Sequence, residues 1–382
     1  MSNYGIVRQT MAVRFDKRVT GINISGIRKM FEGAGPGAVN LGLGQPDFDT
    51  PQHIKDAAIR AINEGFTAYT VNMGIPELRE ALSQKFRAEN GLEYSPGEIM
   101  ITAGASEAIH IALQALCGKG DEVLVPDPGF VSYSALATMA DARPVGVPLG
   151  DRLKYDPEAL KGYINKNTKA IVLNSPSNPT GMVQTGDEIR AIAEIAEDKG
   201  VTVISDEVYE HFIYEGRHVS PAMFSDNVIT INATSKTYAM TGWRIGYVAA
   251  RPEYTEQMLK VHQYVVACAC SISQKAALAA YTGPQDSVAV MRDEFRRRRD
   301  YLIDELHGMG VDCVRPQGAF YLFPKVGDEA QVVSDLLKRG VISTPGTAFG
   351  EHGKGYIRLT YSTSMPNIEK AVSIMSSFFK GA

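Results

Sequence analysis

Five side chains of different chemistry stand at or just beyond the ends of three short apolar runs. Ala170-Ile-Val-Leu-Asn174 leads into Ser175-Pro-Ser-Asn178-Pro-Thr-Gly181, Val201-Thr-Val-Ile-Ser205 leads into Asp206-Glu-Val-Tyr209, and Val228-Ile-Thr-Ile-Asn232 leads into Ala-Thr-Ser-Lys236, with Arg244 eight residues further on. An amide, a carboxylate, a phenol, an amine and a guanidinium therefore follow strand-like segments. Each has a plain structural reading when taken alone: Asp206 as a helix N-cap, Lys236 as a surface ammonium, Asn178 as a turn former.

Taken together they are the inventory that pyridoxal phosphate requires. An amine must form an imine with it, a carboxylate must keep its pyridine nitrogen protonated as an electron sink, and a cation with backbone amides must hold its phosphate. A seat for the phosphate is visible where Ile99-Met-Ile-Thr102 passes through Ala103-Gly104-Ala105 into Ser106-Glu-Ala-Ile-His-Ile-Ala-Leu, a strand, a tight turn and a helix start. Amides at a helix start point toward an anion, and the helix dipole favours it. Ser106 before a helix is also an ordinary cap, so this signal gains weight only with Arg244 as a second grip on the same anion.

These residues need a scaffold of alternating elements. Apolar runs at Ile99–Thr102, Glu122–Val125, Ala170–Leu173, Val201–Ser205, Val228–Asn232 and Tyr247–Ala250 are separated by helical spacings such as Ser106–Cys117 and Asp187–Lys199. The pattern predicts an α/β fold, a mostly parallel sheet covered by helices on both faces, with ligands bound beyond the carboxyl ends of the strands. After about residue 290 the texture changes to a long charged helix pattern, Met291–Met309, followed by strand-like Gly318–Pro324 and Tyr356–Tyr361. A smaller α+β domain is expected there. The domain division is 46–289 for the large unit and 1–45 with 290–382 for the small one.

Composition excludes several classes. The 382 residues are 44% apolar and 21% charged, close to globular averages, so neither a fibre nor a disordered tail is indicated. A net charge of −4 with scattered Lys and Arg argues against nucleic acid as a partner. The one basic run, Arg296–Arg299, is flanked by acids and reads as a solvated helix face. Cys117, Cys268, Cys270 and Cys313 have neither zinc spacing nor a disulfide framework, so no metal is expected and a reducing compartment fits. No apolar stretch long enough to span a membrane or serve as a signal peptide occurs, which reads as a cytoplasmic protein.

The segment Asn-Ala-Thr-Ser-Lys236-Thr-Tyr-Ala-Met-Thr-Gly-Trp-Arg244-Ile-Gly246 resembles the lysine-attachment motif of class I aminotransferases, in the fold-type-I pyridoxal-phosphate superfamily. Ser-Pro-Ser-Asn178-Pro-Thr-Gly, Ser-Asp206-Glu-Val-Tyr209, Leu-Gly-Leu-Gly44-Gln-Pro-Asp-Phe and Tyr69-Thr-Val-Asn-Met-Gly-Ile-Pro-Glu-Leu-Arg79 are similar to the same family, in its order, from about residue 40 to 361. The resemblance implies that Lys236 forms the imine (Schiff base) and later shuttles the substrate proton, and that Asp206 pairs with the ring nitrogen. Asn178 and Tyr209 would hydrogen-bond the ring's phenolic oxygen and lower the imine's proton affinity. Phe130 would stack on the ring. Gly104, Ala105, Ser106, Ser235 and Arg244 would hold the phosphate.

By the same resemblance, Arg358 takes the substrate carboxylate with Gly44 and Asn178 alongside, although its position alone suggests an exposed strand residue. Tyr69 would reach the phosphate of a neighbouring subunit, which implies a homodimer with shared active sites. Two positions depart from the family pattern. Ala233 stands where a phosphate-binding Ser is common, so a hydroxyl must come from Ser235, Thr234 or Ser106. Ser106 stands where some aspartate aminotransferases of this group carry Lys, which weakens an aspartate-only reading, while Phe-Val-Ser-Tyr133 and Asp206-Glu-Val-Tyr-Glu-His-Phe-Ile-Tyr214 look closest to archaeal aromatic or broad-specificity members.

The expected activity is ping-pong transamination between an L-amino acid and a 2-oxo acid, with 2-oxoglutarate as the expected acceptor. A C–S β-lyase would use the same scaffold and cofactor. A nicotinamide oxidoreductase would need Gly-x-Gly-x-x-Gly between strand and helix, and none occurs. A transcription factor of this lineage would need a DNA-binding domain, for which the forty or so residues before the first motif leave no room.

Overall fold

The computed structural model describes residues 13–22, 35 and 37–381. A short strand β1 (Val39–Asn40) precedes seven strands of one large sheet: β2 (Ile99–Thr102), β3 (Glu122–Asp127), β4 (Arg143–Pro148), β5 (Thr168–Asn174), β6 (Thr202–Asp206), β7 (Val228–Ala233) and β8 (Gly246–Ala249). Their order is β2-β8-β7-β6-β5-β3-β4, and β8 alone runs antiparallel to its neighbours. Successive residues face opposite helical layers: Val125, Val172 and Ile204 pack with Ile109 and Tyr133, whereas Leu124, Ile171 and Val203 pack with Ile189 and Ile192. A sheet buried on both faces explains why its strands read as continuous apolar runs.

The register sets the site. Asn174 pairs with Asp206, and Asp206 with Ile231, so the carboxyl ends of β5, β6 and β7 finish side by side. Strand β4 was not visible in the apolar pattern, because Arg-Pro-Val-Gly-Val-Pro carries two prolines and a glycine. Proline is tolerated there because β4 is the edge of the sheet.

Beyond the large sheet, β9 (Tyr321–Leu322), β10 (Val341–Ile342), β11 (Thr344–Pro345) and β12 (Ile357–Thr360) form the smaller layer. β12 lies between β11 and β9, antiparallel to both, and β1 runs parallel to β10. Their core of Phe295, Leu302, Phe320, Leu336, Ile368 and Met375 extends to Val208, Tyr209 and Phe212, so the loop after β6 is packed from the small-sheet side. Of the N-terminal segment, Lys17–Thr20 lies against the helix Ser132–Met139 rather than the small sheet; residues 23–34 fall outside the described part.

The long helix spans Asp286–Gly308, starting earlier than its charged pattern suggests. Its basic run is a solvated face only in its first half: Arg296 and Arg297 are exposed, the next two are not. Arg298 and Arg299 are only 5% and 3% exposed. Arg298 pairs with Asp47 at 2.7 Å and Glu294 at 2.8 Å, and Arg299 reaches Glu215 at 3.2 Å and the Pro316 carbonyl at 2.8 Å. The guanidiniums are long enough to stay paired while their stems cover the core face also occupied by Phe295 and Leu302. All four cysteines are unpaired. Among the described residues no helix is long and apolar enough to cross a membrane.

Candidate active site

A cavity of about 250 Å³ opens at the carboxyl ends of β5, β6 and β7. Asp206, the last residue of β6, accepts a 2.7 Å hydrogen bond from the Tyr133 hydroxyl. Asn174, its neighbour in register, donates to the Asp206 carbonyl at 2.9 Å and accepts the Asn178 amide at 2.8 Å, tying the loop after β5 to the end of β6. Burial pushes the Asp206 carboxyl up to about 6, against the opposing pull of the Tyr133 hydrogen bond. The other two acids of this loop turn away. Glu207 accepts from Ser205, Ser220 and His218 at 2.7–2.8 Å, and Glu210 accepts from Lys85, Asn90 and Asn232. These anchors leave Asp206 and Tyr209 facing the cavity.

Lys236 sits in the helical turn Thr234–Thr237 that follows β7, and its Nζ donates to the Gly44 carbonyl at 3.0 Å. Loss of water, then the Arg358 and Arg244 charges, lower its ammonium to about 8, with Asp206 opposing. At one end of the cavity Gly104, at φ 85°, turns the chain into the helix Ala105–Leu116; the Glu107 amide already bonds the Gly104 carbonyl at 3.1 Å, so the Ala105 and Ser106 amides are the ones that precede the helical ladder. Arg244, itself at φ 52°, bonds the Thr241 carbonyl at 3.0 Å and the Ala103 carbonyl at 3.5 Å. A Cβ on Gly104 would stand 2.5 Å from the Arg244 Nη2, so a larger residue would displace the guanidinium, and the positive φ itself favours glycine. Ser106 and Ser235 line the cavity, whereas the Thr234 hydroxyl is turned to the Ile245 carbonyl at 3.2 Å.

At the other end Arg358 is 1% exposed, a correction to the exposed strand residue its position suggests. It lies on the middle strand of the small sheet, where both faces are covered. Its Nη1 bonds the Asn178 Oδ1 at 2.9 Å, its Nη2 bonds the Gly42 carbonyl, and its guanidinium lies 4.7 Å from each of the Tyr321 and Phe349 rings. Its Nε is buried without a partner among the described residues. Tyr209 and Tyr321 share a hydrogen bond of 2.8 Å between their hydroxyls.

The sequence profile described as "Aminotransferase class I and II" matches residues 36–375. A probable aspartate aminotransferase of Methanocaldococcus jannaschii is 45% identical over 95% of this chain and 99% of its own length. Aromatic-amino-acid aminotransferase 2 of Thermococcus litoralis is 39% identical over 95% of this chain and 97% of its own. The chain belongs to the class I and II aminotransferase family. The structure of Thermus thermophilus aspartate aminotransferase with maleate superposes with a TM-score of 0.92, at 38% identity, over 96% of this chain and 99% of that one. This aminotransferase has the α/β fold shared by those structures, and the names of its relatives do not favour the lyase alternative.

Within the aminotransferase, Gly44, Ala105, Ser106, Phe130, Asn178, Asp206, Tyr209, Ser235, Lys236, Arg244 and Arg358 all line the one cavity, and Gly104 stands beside it against Arg244. Tyr69 does not: it is 88% exposed. Sequence reasoning missed Asn174, Tyr133 and Tyr321. Asn174 carried a usable signal, as the last residue of the run preceding the Asn178 loop. Tyr133 follows Phe130 by three residues, a spacing compatible with both entering the same space. Tyr321 has no such local signal, since it reaches Tyr209 from a different sheet.

Proposed function

We propose that the cavity binds pyridoxal 5'-phosphate and that the enzyme moves the amino group of an L-amino acid to a 2-oxo acid, with 2-oxoglutarate as the expected acceptor. Members of its family use this cofactor. The observation that carries the reading is that Lys236 and Asp206 face one cavity between two arginines at its opposite ends. The donor set fits the group. Gly104 lets the Arg244 guanidinium come up against the helix start, and the buried Arg358 Nε, without a partner among the described residues, suits a carboxylate.

When bound, the cofactor supplies an electron sink for the pair released at the substrate α-carbon. Asp206 holds the counter-charge at the ring nitrogen. Lys236, lowered toward neutrality, is suited both to accept the α-proton and to return it. Asn178 and Tyr209 donate to the phenolic oxygen, and Phe130 covers the ring face. The Gly104–Ser106 amides, Ser235 and Arg244 hold the phosphate. Arg358 takes the substrate carboxylate as a fork, beside Gly44 and Asn178.

Among the described cavity residues the only cations are Lys236, Arg244 and Arg358, and Ser106 is neutral. That favours an aromatic or broad substrate range over aspartate alone. Tyr69 is exposed together with Val71, Tyr264 and Val265, an apolar surface suited to a second subunit. The reading is a homodimer in which Tyr69 reaches the partner's phosphate site. Residues 46–289 form the cofactor-binding unit and 1–45 with 290–382 the smaller one, in a cytoplasmic enzyme.

The test is a half-reaction scan. Loaded enzyme is mixed with single amino acids, and loss of its visible absorption band is recorded alongside the oxo acid formed. Lys236→Ala is expected to abolish turnover while leaving the folded dimer intact; undiminished turnover in that variant refutes the assignment.

A further inference from the structure

Tyr321 touches three groups that the proposed chemistry uses. Its hydroxyl lies 2.8 Å from the Tyr209 hydroxyl, its ring lies 4.7 Å from the Arg358 guanidinium, and its hydroxyl edge fills the space left by the missing side chain of Gly44. Both phenols are buried, and burial raises both above the ordinary phenol value, so each keeps its proton.

Two neutral phenols in contact hold two protons, and one of them lies between the oxygens. If Tyr209 donates to Tyr321, its only proton is spent there. If Tyr321 donates to Tyr209, the Tyr209 proton is free to enter the cavity, and the bond it makes there is strengthened because each hydrogen bond polarises the next. The Arg358 cation beside Tyr321 opposes the rise caused by burial and makes its hydroxyl a better donor. Glycine at 44 keeps the Tyr321 oxygen in place, since a Cβ there would overlap it.

We propose that Tyr321 is a positioning residue that acts through Tyr209: its hydroxyl donates to the Tyr209 oxygen and thereby commits the Tyr209 proton to the phenolic oxygen of the bound cofactor. The inference rests on reading the cavity as a pyridoxal phosphate site.

The experiment is a pH titration of the visible absorption band in protein loaded with pyridoxal 5'-phosphate. It compares wild type, Tyr321→Phe, Tyr209→Phe and the double variant. Phenylalanine keeps the ring beside Arg358 and removes only the hydroxyl. Loss of donation to the phenolic oxygen raises the midpoint, so Tyr209→Phe moves it up, and Tyr321→Phe moves it up less, by about half a unit for one neutral bond in a chain. In the Tyr209→Phe background Tyr321→Phe moves it no further, because its route is already gone.

An unchanged midpoint in Tyr321→Phe, or shifts that add in the double variant, overturns the proposal. So does a fall in melting temperature with no change in midpoint. Tyr321→His keeps a planar ring and a donor and is expected to titrate closer to wild type than Tyr209→Phe does. A midpoint at or above that of Tyr209→Phe overturns the proposal even if Tyr321→Phe does not fold. Wild-type protein that takes up no cofactor, or whose band does not titrate, overturns the underlying reading as well, and so is distinguished from failure of the Tyr321 inference alone.

Discussion

Arg244 and Arg358 stand at the two ends of one cavity, and the fold builds them in opposite ways. Arg244 is exposed, follows the 3₁₀ turn Thr241–Trp243 with a left-handed backbone, and is steadied by two main-chain carbonyls. Arg358 is buried mid-strand, bonded to Asn178 and Gly42 and held between two aromatic rings. An exposed guanidinium keeps its hydration and side-chain freedom and contributes mainly charge. A buried, stacked one has lost both before any ligand arrives, and contributes a fixed two-pronged geometry. On the proposed reading of the cavity, ligand groups are selected by charge at the Arg244 end and by shape at the Arg358 end.

Arg358→Lys is the sharpest way to break this comparison. Lysine keeps the charge but has neither the fork nor the flat face for stacking. The expected loss in kcat/KM for amino-acid substrates is roughly two to three orders of magnitude, the scale for disrupting a buried, hydrogen-bonded charge contact. Steady-state kinetics checks it, and a loss below about tenfold would mean that charge alone suffices at this end too.

Between the two arginines, Asp206 carries a cost of its own. Burial raises its carboxyl from the ordinary 3.8 to about 6, so the folded, cofactor-free protein binds this proton more tightly than the unfolded chain does. Stability must then fall as pH rises through that window, by about 3 kcal/mol once the group is ionised. Cofactor-free Asp206→Asn is accordingly expected to exceed wild type in urea denaturation at pH 7–8 and to lose that advantage toward pH 4. A constant difference across this range would exclude Asp206 as its source.

Gly44→Ala tests how tightly the buried end is finished. The added methyl would overlap the Tyr321 hydroxyl, next to the carbonyl that accepts from Lys236. Overpacking of this kind costs about 1–3 kcal/mol, to be read as a lowered melting temperature, with activity falling alongside it. An unaltered melting temperature would show that Tyr321 can yield.

The same contrast explains what was legible in the sequence. Lys236, Asp206 and Asn178 follow strands whose apolar runs and turn residues are local signals, and parallel register brings their ends together without further information. Arg244 and the Gly104–Ser106 turn are short-range features of the same kind. Arg358, Tyr321 and Gly44 meet from segments far apart in the chain, and nothing local distinguishes a buried arginine on a central strand from an exposed one on an edge. Family resemblance supplied Arg358 and Gly44; Tyr321 emerged only from the packing. The basic run at 296–299 is solvated at Arg296 and Arg297 as expected, but the burial of Arg298 and Arg299 has no local signal for the same reason, since their partners Asp47 and Glu215 lie on other segments. Strand β4 was hidden because edge position, invisible in sequence, is what makes its prolines acceptable.

The mildest change should be Arg244→Lys, and its mildness is the point. An ammonium is a competent point-charge partner for a phosphate, and at an exposed position the side chain has room to find it. The helix-start amides and the Ser106 and Ser235 hydroxyls remain. Cofactor affinity is expected to weaken by about tenfold, the equivalent of one modest charge-assisted contact. Turnover at saturating cofactor should stay close to wild type. Equilibrium dialysis and steady-state rates at high cofactor separate the two quantities. If Arg244→Lys instead reduces saturated turnover as far as Arg358→Lys does, the exposed arginine is also holding its ligand in a fixed geometry, and exposure would no longer distinguish the two ends.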